Sequence, residues 1–324
     1  PHLTKLYGKS WYPIGGQIHK KTYLCNEGYG LIKYKSDRFG LRNEDKKWDL
    51  LTEKPYNIFI GDSFVHGACV KDNKTIPYLY EKRTNEISLN IGYISNDPYN
   101  YIAILKTFIK DLIPLSNQNV KIILIFFLND ICKNCKSNEK ELQEIPIKNM
   151  PLNASNLSAK DGYIEKLNFS INEINRLVPS LSLNKQKSNK SYGLQFLKEI
   201  YRTISLRKTR TKLFTTYNQI NSDYYFKKNG PSGKAIKIIS EICKNNCKPY
   251  ISFIPDSNFW SKNNKNKEYS ESLKRISKIY DVKFIDLNET INADNIKHYA
   301  PNGGHLSELG YELVTNEIIK QTKK

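Results

Sequence analysis

"NIFIGDSFVHG", residues 57–67, is the stretch from which the fold can be read. Asn57–Gly61 is a short, β-rich apolar run that stops at a glycine, the pattern of a buried strand. Asp62, Ser63 and Phe64 follow, where the next helix is due. Serine is a favoured helix N-cap, and an alcohol at the carboxyl end of a buried strand is equally a place for a nucleophile. Eleven residues leave both readings open, so the rest of the chain must supply or withhold partners for Ser63.

Working outward, four more runs read as buried strands: 87–91, 121–128, 249–254 and 282–287. Helical stretches fill the gaps at 75–83, 99–113, 270–280 and 307–320; Ile102, Leu105, Ile109 and Leu112 share one face of the second. Alternating strand and helix predicts an α/β fold, a three-layer α/β/α sandwich around a flavodoxin-like five-stranded parallel sheet. Such sheets carry their sites at the carboxyl ends of the strands. Residues 1–55 read as a turn-rich N-terminal extension packed on a core of 56–324. Residues 131–235 read as a long insertion between the third and fourth strands. Within it, 191–214 is an amphipathic helix candidate running into the basic "LRKTRTK" (206–212). Two readings of that helix stand: contact with an anionic membrane surface, or packing on the core with a solvated basic end.

The 324 residues are 39% hydrophobic and 12% aromatic, enough for a sizeable core. Lys and Arg number 51 against 32 Asp and Glu, a net charge of +19 that would draw anionic partners. The positives are spread rather than massed, and the richness in Lys, Asn, Ile and Tyr is a compositional bias. No RNP, zinc-finger or helix-turn-helix pattern is present, so no specific nucleic-acid partner is expected. No run of eighteen apolar residues occurs, so no bilayer-spanning segment is predicted. The chain opens at Pro1 without a methionine, which fits a leader removed or left out. The reading leans to an extracytoplasmic or membrane-associated place in a bacterium.

Six cysteines stand at 25, 69, 132, 135, 243 and 247. Cys132/Cys135 and Cys243/Cys247 form close pairs, open to zinc, to local disulfides or to plain thiols. A structural zinc site wants two knuckles in tight turns, and more than a hundred residues part these two. Local disulfides would mark an oxidising compartment.

What raises Ser63 above a helix cap is the company it keeps. Gly92 follows the second strand in "LNIGYIS" (89–95), Asn129 follows the third in "LIFFLND" (124–130), and His305 precedes the last helix in "PNGGHLSELGY" (301–311). All four converge on one edge of the expected sheet. The blocks "GDSF" (61–64), "NIGY" (90–93), "FLND" (127–130) and "GGHLSELG" (303–310) resemble, in order, those of the SGNH (GDSL-type) hydrolase superfamily, and together they cover 57–320. The "DRFGLRN" segment (37–43) resembles the lead-in of bacterial members found with surface-glycan enzymes.

The resemblance implies a serine esterase or O-acyltransferase that moves a small acyl group, acetyl in the first instance, on a carbohydrate ester. No metal or organic cofactor is implied. Ser63 would attack the ester carbonyl and His305 would take its proton. The N–H of Ser63, the N–H of Gly92 and the Asn129 amide would hold the oxyanion, while Asp62 shapes the turn. One position departs from the pattern. The family usually places an aspartate three residues before the histidine, where this chain has Asn302. Three readings follow: a Ser63–His305 dyad oriented by Asn302 or a backbone carbonyl, Asp294 as a substitute acid, or a catalytically weak site. His66 and His298 are further pocket candidates whose simpler reading is a generic loop histidine. The alternatives of another class are an inactive carbohydrate-binding protein of the same fold and a basic nucleic-acid-binding protein.

Overall fold

A computed structural model describes residues 15–16, 19–51, 53–94, 96–109, 120–130, 230–244, 247–256, 265–291 and 296–323. Five strands build one parallel sheet: β3 (Tyr56–Gly61), β4 (Ile87–Gly92), β5 (Lys121–Phe126), β6 (Lys248–Phe253) and β7 (Lys283–Ile285), in the order β4-β3-β5-β6-β7. In chain order of these five strands that arrangement is 2-1-3-4-5, the flavodoxin-like winding. All four pairings are parallel, with Tyr56 opposite Ile87 and Gly61 opposite Gly92 at the ends of the β3–β4 register. The expected strand positions hold to within a few residues. The fifth is trimmed most, to Lys283–Ile285; the third ends two residues early, at Phe126, because Phe127 leaves the ladder and gives its N–H to the Asp130 carboxyl at 2.7 Å.

Successive strand side chains point to opposite faces, and each face has its own core. Ile58, Ile60, Ile122, Leu124 and Phe126 belong to one cluster. It is completed by α3 (Pro98–Ala103, continued by a π-helical turn at Ile104–Ile109), α4 (Pro231–Cys243) and α5 (Lys265–Ile279). Phe59, Ile123 and Ile125 belong to the other, under α2 (Ile76–Thr84) and α6 (Glu308–Thr322). Burial on both faces explains the unbroken apolar runs. The helix due after β3 is the short α1 (Ser63–His66). The one element with no expectation behind it among these helices is α4, whose start at Pro231 lies inside the stretch assigned to the insertion.

The N-terminal segment adds a small antiparallel ribbon, β1 (Lys21–Tyr23) with β2 (Lys33–Lys35), and then the "DRFGLRN" turn. Asp37 organises that turn, accepting N–H bonds from Phe39 and Leu41 on one oxygen and bonds from Asn43 and Trp48 on the other. The turn aims Arg42 inward. Its guanidinium donates to the carbonyls of His66, Gly67 and Val70 at 2.7–3.1 Å. The first two carbonyls lie at the C-terminal end of α1, where a helix leaves acceptors without partners, and the third is in the loop that follows, so the extension buttresses the turn that carries Ser63.

Cys243 and Cys247 form a disulfide, as do Cys25 and Cys69. The first fits the local-disulfide reading of that pair and removes it from any zinc site; the second joins two cysteines that had no assigned partner. Cys132, Cys135, Asp294 and the candidate helix at 191–214 lie outside the described residues. Among the described residues no helix is long and apolar enough to cross a membrane.

Candidate active site

The site is assembled at the carboxyl ends of the strands, where the strand order reverses around β3. β3 ends at Gly61, Asp62 caps α1 by accepting the Phe64 N–H at 2.9 Å, and Ser63 opens the helix. The helix sits tight against the sheet. A Cβ on Gly92 would come within 2.5 Å of the His66 nitrogen and 2.6 Å of the Val65 Cβ, so only glycine leaves α1 room beside the end of β4.

Ser63 Oγ lies 2.9 Å from His305 Nε2, and His305 Nδ1 lies 2.9 Å from a carboxylate oxygen, Oε1 of Glu27. The other oxygen of Glu27 accepts the backbone N–H of His305 at 3.2 Å. Burial pushes the Glu27 carboxyl up, but the bond from the His305 ring, with support from the N–H groups of His305 and Gly304, outweighs it and holds the group below its ordinary 4.5. An ionised carboxylate only accepts, which assigns the proton of the neutral ring to Nδ1. Nε2 is then free to accept from the Ser63 hydroxyl. Phe64 packs on the imidazole with ring centres 4.9 Å apart and limits its rotation.

The position facing Nδ1 thus corrects the reading built on Asn302. Asn302 is exposed and gives its backbone N–H to the Glu27 carbonyl at 3.1 Å; the carboxylate at the ring comes from Glu27. The reason is steric as well as electrostatic. A Cβ on Gly303 would stand 1.7 Å from Glu27 Cδ, so the glycine between Asn302 and His305 opens the space that the carboxylate fills.

The three expected oxyanion donors are differently placed. The Ser63 N–H lies in the first turn of α1, where a helix offers it no acceptor. Asn129 sits in the short turn Leu128–Asp130 after β5. Burial pushes the Asp62 carboxyl up, and the neighbouring Phe64 N–H, Asn129 amide and His305 ring oppose that shift. Gly92 differs from expectation: its N–H is engaged by Asn90 Oδ1 at 3.0 Å, so in this arrangement it is an occupied donor. His66 is fully buried, with Nε2 3.2 Å from the Tyr34 hydroxyl, and burial lowers its pKa to about 3. His298 is buried beneath the last helix, its carbonyl accepting the Ser307 N–H.

Glu27 had no motif of its own. Cys25-Asn26-Glu27-Gly28 is a turn on the ribbon, in which Asn26 Oδ1 accepts the N–H groups of Gly28 and Gly30 at 3.0 Å. The signal that could have found it is cysteine arithmetic. Two close pairs leave Cys25 and Cys69 over, and bridging them brings residue 27 beside the Ser63 turn.

Glu27, Cys69 and His305 hold potential ligand atoms within 4.8 Å of one another, but the Cys69 sulfur is spent in the disulfide and the other two groups bond each other. A cavity of about 410 Å³ under the N-terminal segment, lined by Lys35, Arg42, Asp72 and Thr75 among others, does not include Ser63 or His305. The side-chain chemistry, and not this cavity, locates the site.

No protein-family profile and no curated protein matches this chain. Among solved structures it is similar to a lipolytic protein of the G-D-S-L family from Veillonella parvula, at 16% identity and TM-score 0.44 over 83% of this chain and 98% of that one. It is also similar to an acetylxylan esterase from Geobacillus stearothermophilus, at 10% identity and TM-score 0.42 over 82% and 93% of the two chains.

Proposed function

We propose that the protein is a serine esterase or acyltransferase that handles small acyl esters, acetyl in the first instance, on carbohydrate. The observation that carries this reading is the unbroken hydrogen-bonded relay Ser63 Oγ–His305–Glu27, with 2.9 Å at each link. In the forward step Ser63 Oγ attacks the ester carbonyl and its proton passes to His305 Nε2. The Glu27 carboxylate stabilises the imidazolium so formed. The developing oxyanion meets the Ser63 N–H and the Asn129 amide, and the Gly92 N–H joins them once released by Asn90. As the tetrahedral species collapses, the bond to the alcohol breaks and His305 returns the proton to the leaving oxygen. Acyl-Ser63 is then opened by water in a hydrolase or by a sugar hydroxyl in a transferase, with His305 again as base.

Hydrolysis of p-nitrophenyl acetate tests the reading, together with labelling by a fluorophosphonate located by mass spectrometry. Turnover that is lost in Ser63→Ala, and a label found on Ser63, support it. A chain that neither turns over activated esters nor takes the label is not a serine esterase.

A further inference from the structure

Glu27 reaches His305 from a segment whose grip on the hydrophobic core is slight, with Tyr29 packed half-buried against it. None of the described residues 21–31 is buried, and Tyr23 and Leu31 are 59% and 61% exposed. Among the described residues β1 and β2 pair only with each other and join no strand of the main sheet. What ties the Glu27 turn to the site is the disulfide from Cys25, two residues away, to Cys69, six residues beyond Ser63. Cys69 is 1% exposed and follows α1 directly. Its sulfur lies within 4.8 Å of the Glu27 and His305 ligand atoms, so the bridge borders the relay itself. The remaining anchors of the turn are the half-buried Tyr29 ring against the core and single hydrogen bonds, notably the Asn302 N–H to the Glu27 carbonyl.

We infer that Cys25 and Cys69 are positioning residues for the acid of the relay, and that reduction of their disulfide releases Glu27 from His305 and switches the site down. The proposal rests on the esterase reading above. The redox step balances with an external dithiol. One thiolate attacks a sulfur of the bridge and breaks the S–S bond, and the second thiol displaces the mixed disulfide. Two electrons pass to the protein, leaving two cysteine thiols and a cyclic disulfide of the reductant. The Cys243–Cys247 bridge is a built-in control. It joins the end of α4 to the residue before β6, at the amino-terminal edge of the sheet, away from Ser63.

The test measures kcat and KM for an activated acetyl ester before and after treatment with a dithiol. The chains are wild type, Cys25→Ser/Cys69→Ser and Cys243→Ser/Cys247→Ser, each with and without Glu27→Gln. Reduction of the wild type should lower kcat by about 10- to 100-fold with little change in KM, the cost of misplacing a catalytic group by an ångström and less than that of removing the carboxylate, because the freed turn still visits its seat. Cys25→Ser/Cys69→Ser should show the loss without reductant, and Cys243→Ser/Cys247→Ser should behave as wild type. With Glu27→Gln present, reduction should have no further effect. The same proportional loss with and without Glu27 would overturn the inference, since the bridge would then act on the fold at large, and so would an undiminished kcat after reduction.

A readout free of turnover separates this inference from the esterase reading. The Nδ1 proton of His305, identified by its absence in His305→Ala, should give a far-downfield proton NMR signal in the oxidised protein that is lost on reduction. If the oxidised protein hydrolyses no ester but shows that loss, the esterase reading fails and the bridge still positions Glu27. A signal that survives reduction overturns the inference whatever the activity.

Discussion

The two edges of the His305 ring are served by parts of the molecule built in opposite ways. Nε2 faces Ser63, which sits where a fully buried strand meets a helix held by Arg42 and by close backbone packing at Gly92. Nδ1 faces Glu27, which sits on a half-exposed turn held by a disulfide, a few hydrogen bonds and the half-buried Tyr29 ring. The place of Ser63, the proposed nucleophile, is therefore set by the core, and core packing fixes side chains to a narrow range. The acid's place is set by covalent and polar ties that can be cut one at a time. A relay assembled in this way can lose its third member while the fold and the nucleophile stay in place.

Substitutions can pull the two halves apart. Removing the nucleophile should have the largest effect: Ser63→Ala should lower kcat for an activated ester by on the order of 10⁶-fold, as in other serine hydrolases. Equal turnover in wild type and variant would place the chemistry elsewhere. On the acid side, Glu27→Gln should lower kcat by about 10⁴-fold, the cost known for replacing a triad carboxylate by its amide. Its unfolding midpoint in urea should stay near that of the wild type, since the turn is not part of the core. Asn129→Ala, which removes an oxyanion donor, should cost on the order of 100- to 1000-fold in kcat.

Gly303→Ala sharpens the comparison further because the nearest atoms to the added methyl are those of the Glu27 side chain. The added methyl occupies the place of the Glu27 carboxyl, and that flexible side chain can swing out to solvent. Activity should fall by about 100-fold while Ser63 keeps its position beneath the core. A variant with undiminished kcat would show that Glu27 does not need its present seat. The acid limb of the pH–rate profile carries the same signature. Glu27 is held below its ordinary value, so its contribution is complete above about pH 4.5 and is lost as pH falls through the lowered pKa.

A separate effect belongs to stability on the Ser63 side. His66 is buried with Nδ1 unpartnered, and its pKa is lowered to about 3 from an ordinary 6.5. Between those values the unfolded chain binds a proton that the folded ring refuses, so stability falls as pH drops from 6.5 towards 3. His66→Phe should flatten that slope in urea unfolding curves, and an unchanged slope would remove His66 as its source.

The contrast between the two regions also explains how far the sequence could be read. Each strand of the sheet is buried on both faces and announces itself as an apolar run, so the winding and the position of Ser63 follow from residues close together in the chain. Gly92, Asn129 and His305 follow in turn, because sheet topology delivers strand ends to one edge. Glu27 is 278 positions from His305 in sequence and arrives on no strand or helix of the sandwich. Its placement depends on the Cys25–Cys69 bridge and on the space left by Gly303, neither of which has a local pattern. Asn302, three residues before the histidine, was the natural place to look for an acid; the structure uses its backbone to hold the turn that carries one. The N–H of Gly92 teaches the same lesson on a smaller scale, since its engagement by Asn90 depends on a side-chain rotamer and not on the strand.

The most direct test of Glu27 as the acid behind His305 is the rate at which a fluorophosphonate modifies Ser63, which reads activation of the nucleophile without any choice of natural substrate. Measured on three chains, the account predicts that Asn302→Ala, which keeps the backbone N–H, reacts as fast as wild type. Glu27→Gln should react slower by a factor on the order of 10⁴. Wild-type reactivity in Glu27→Gln, or a comparable collapse in Asn302→Ala, would contradict it.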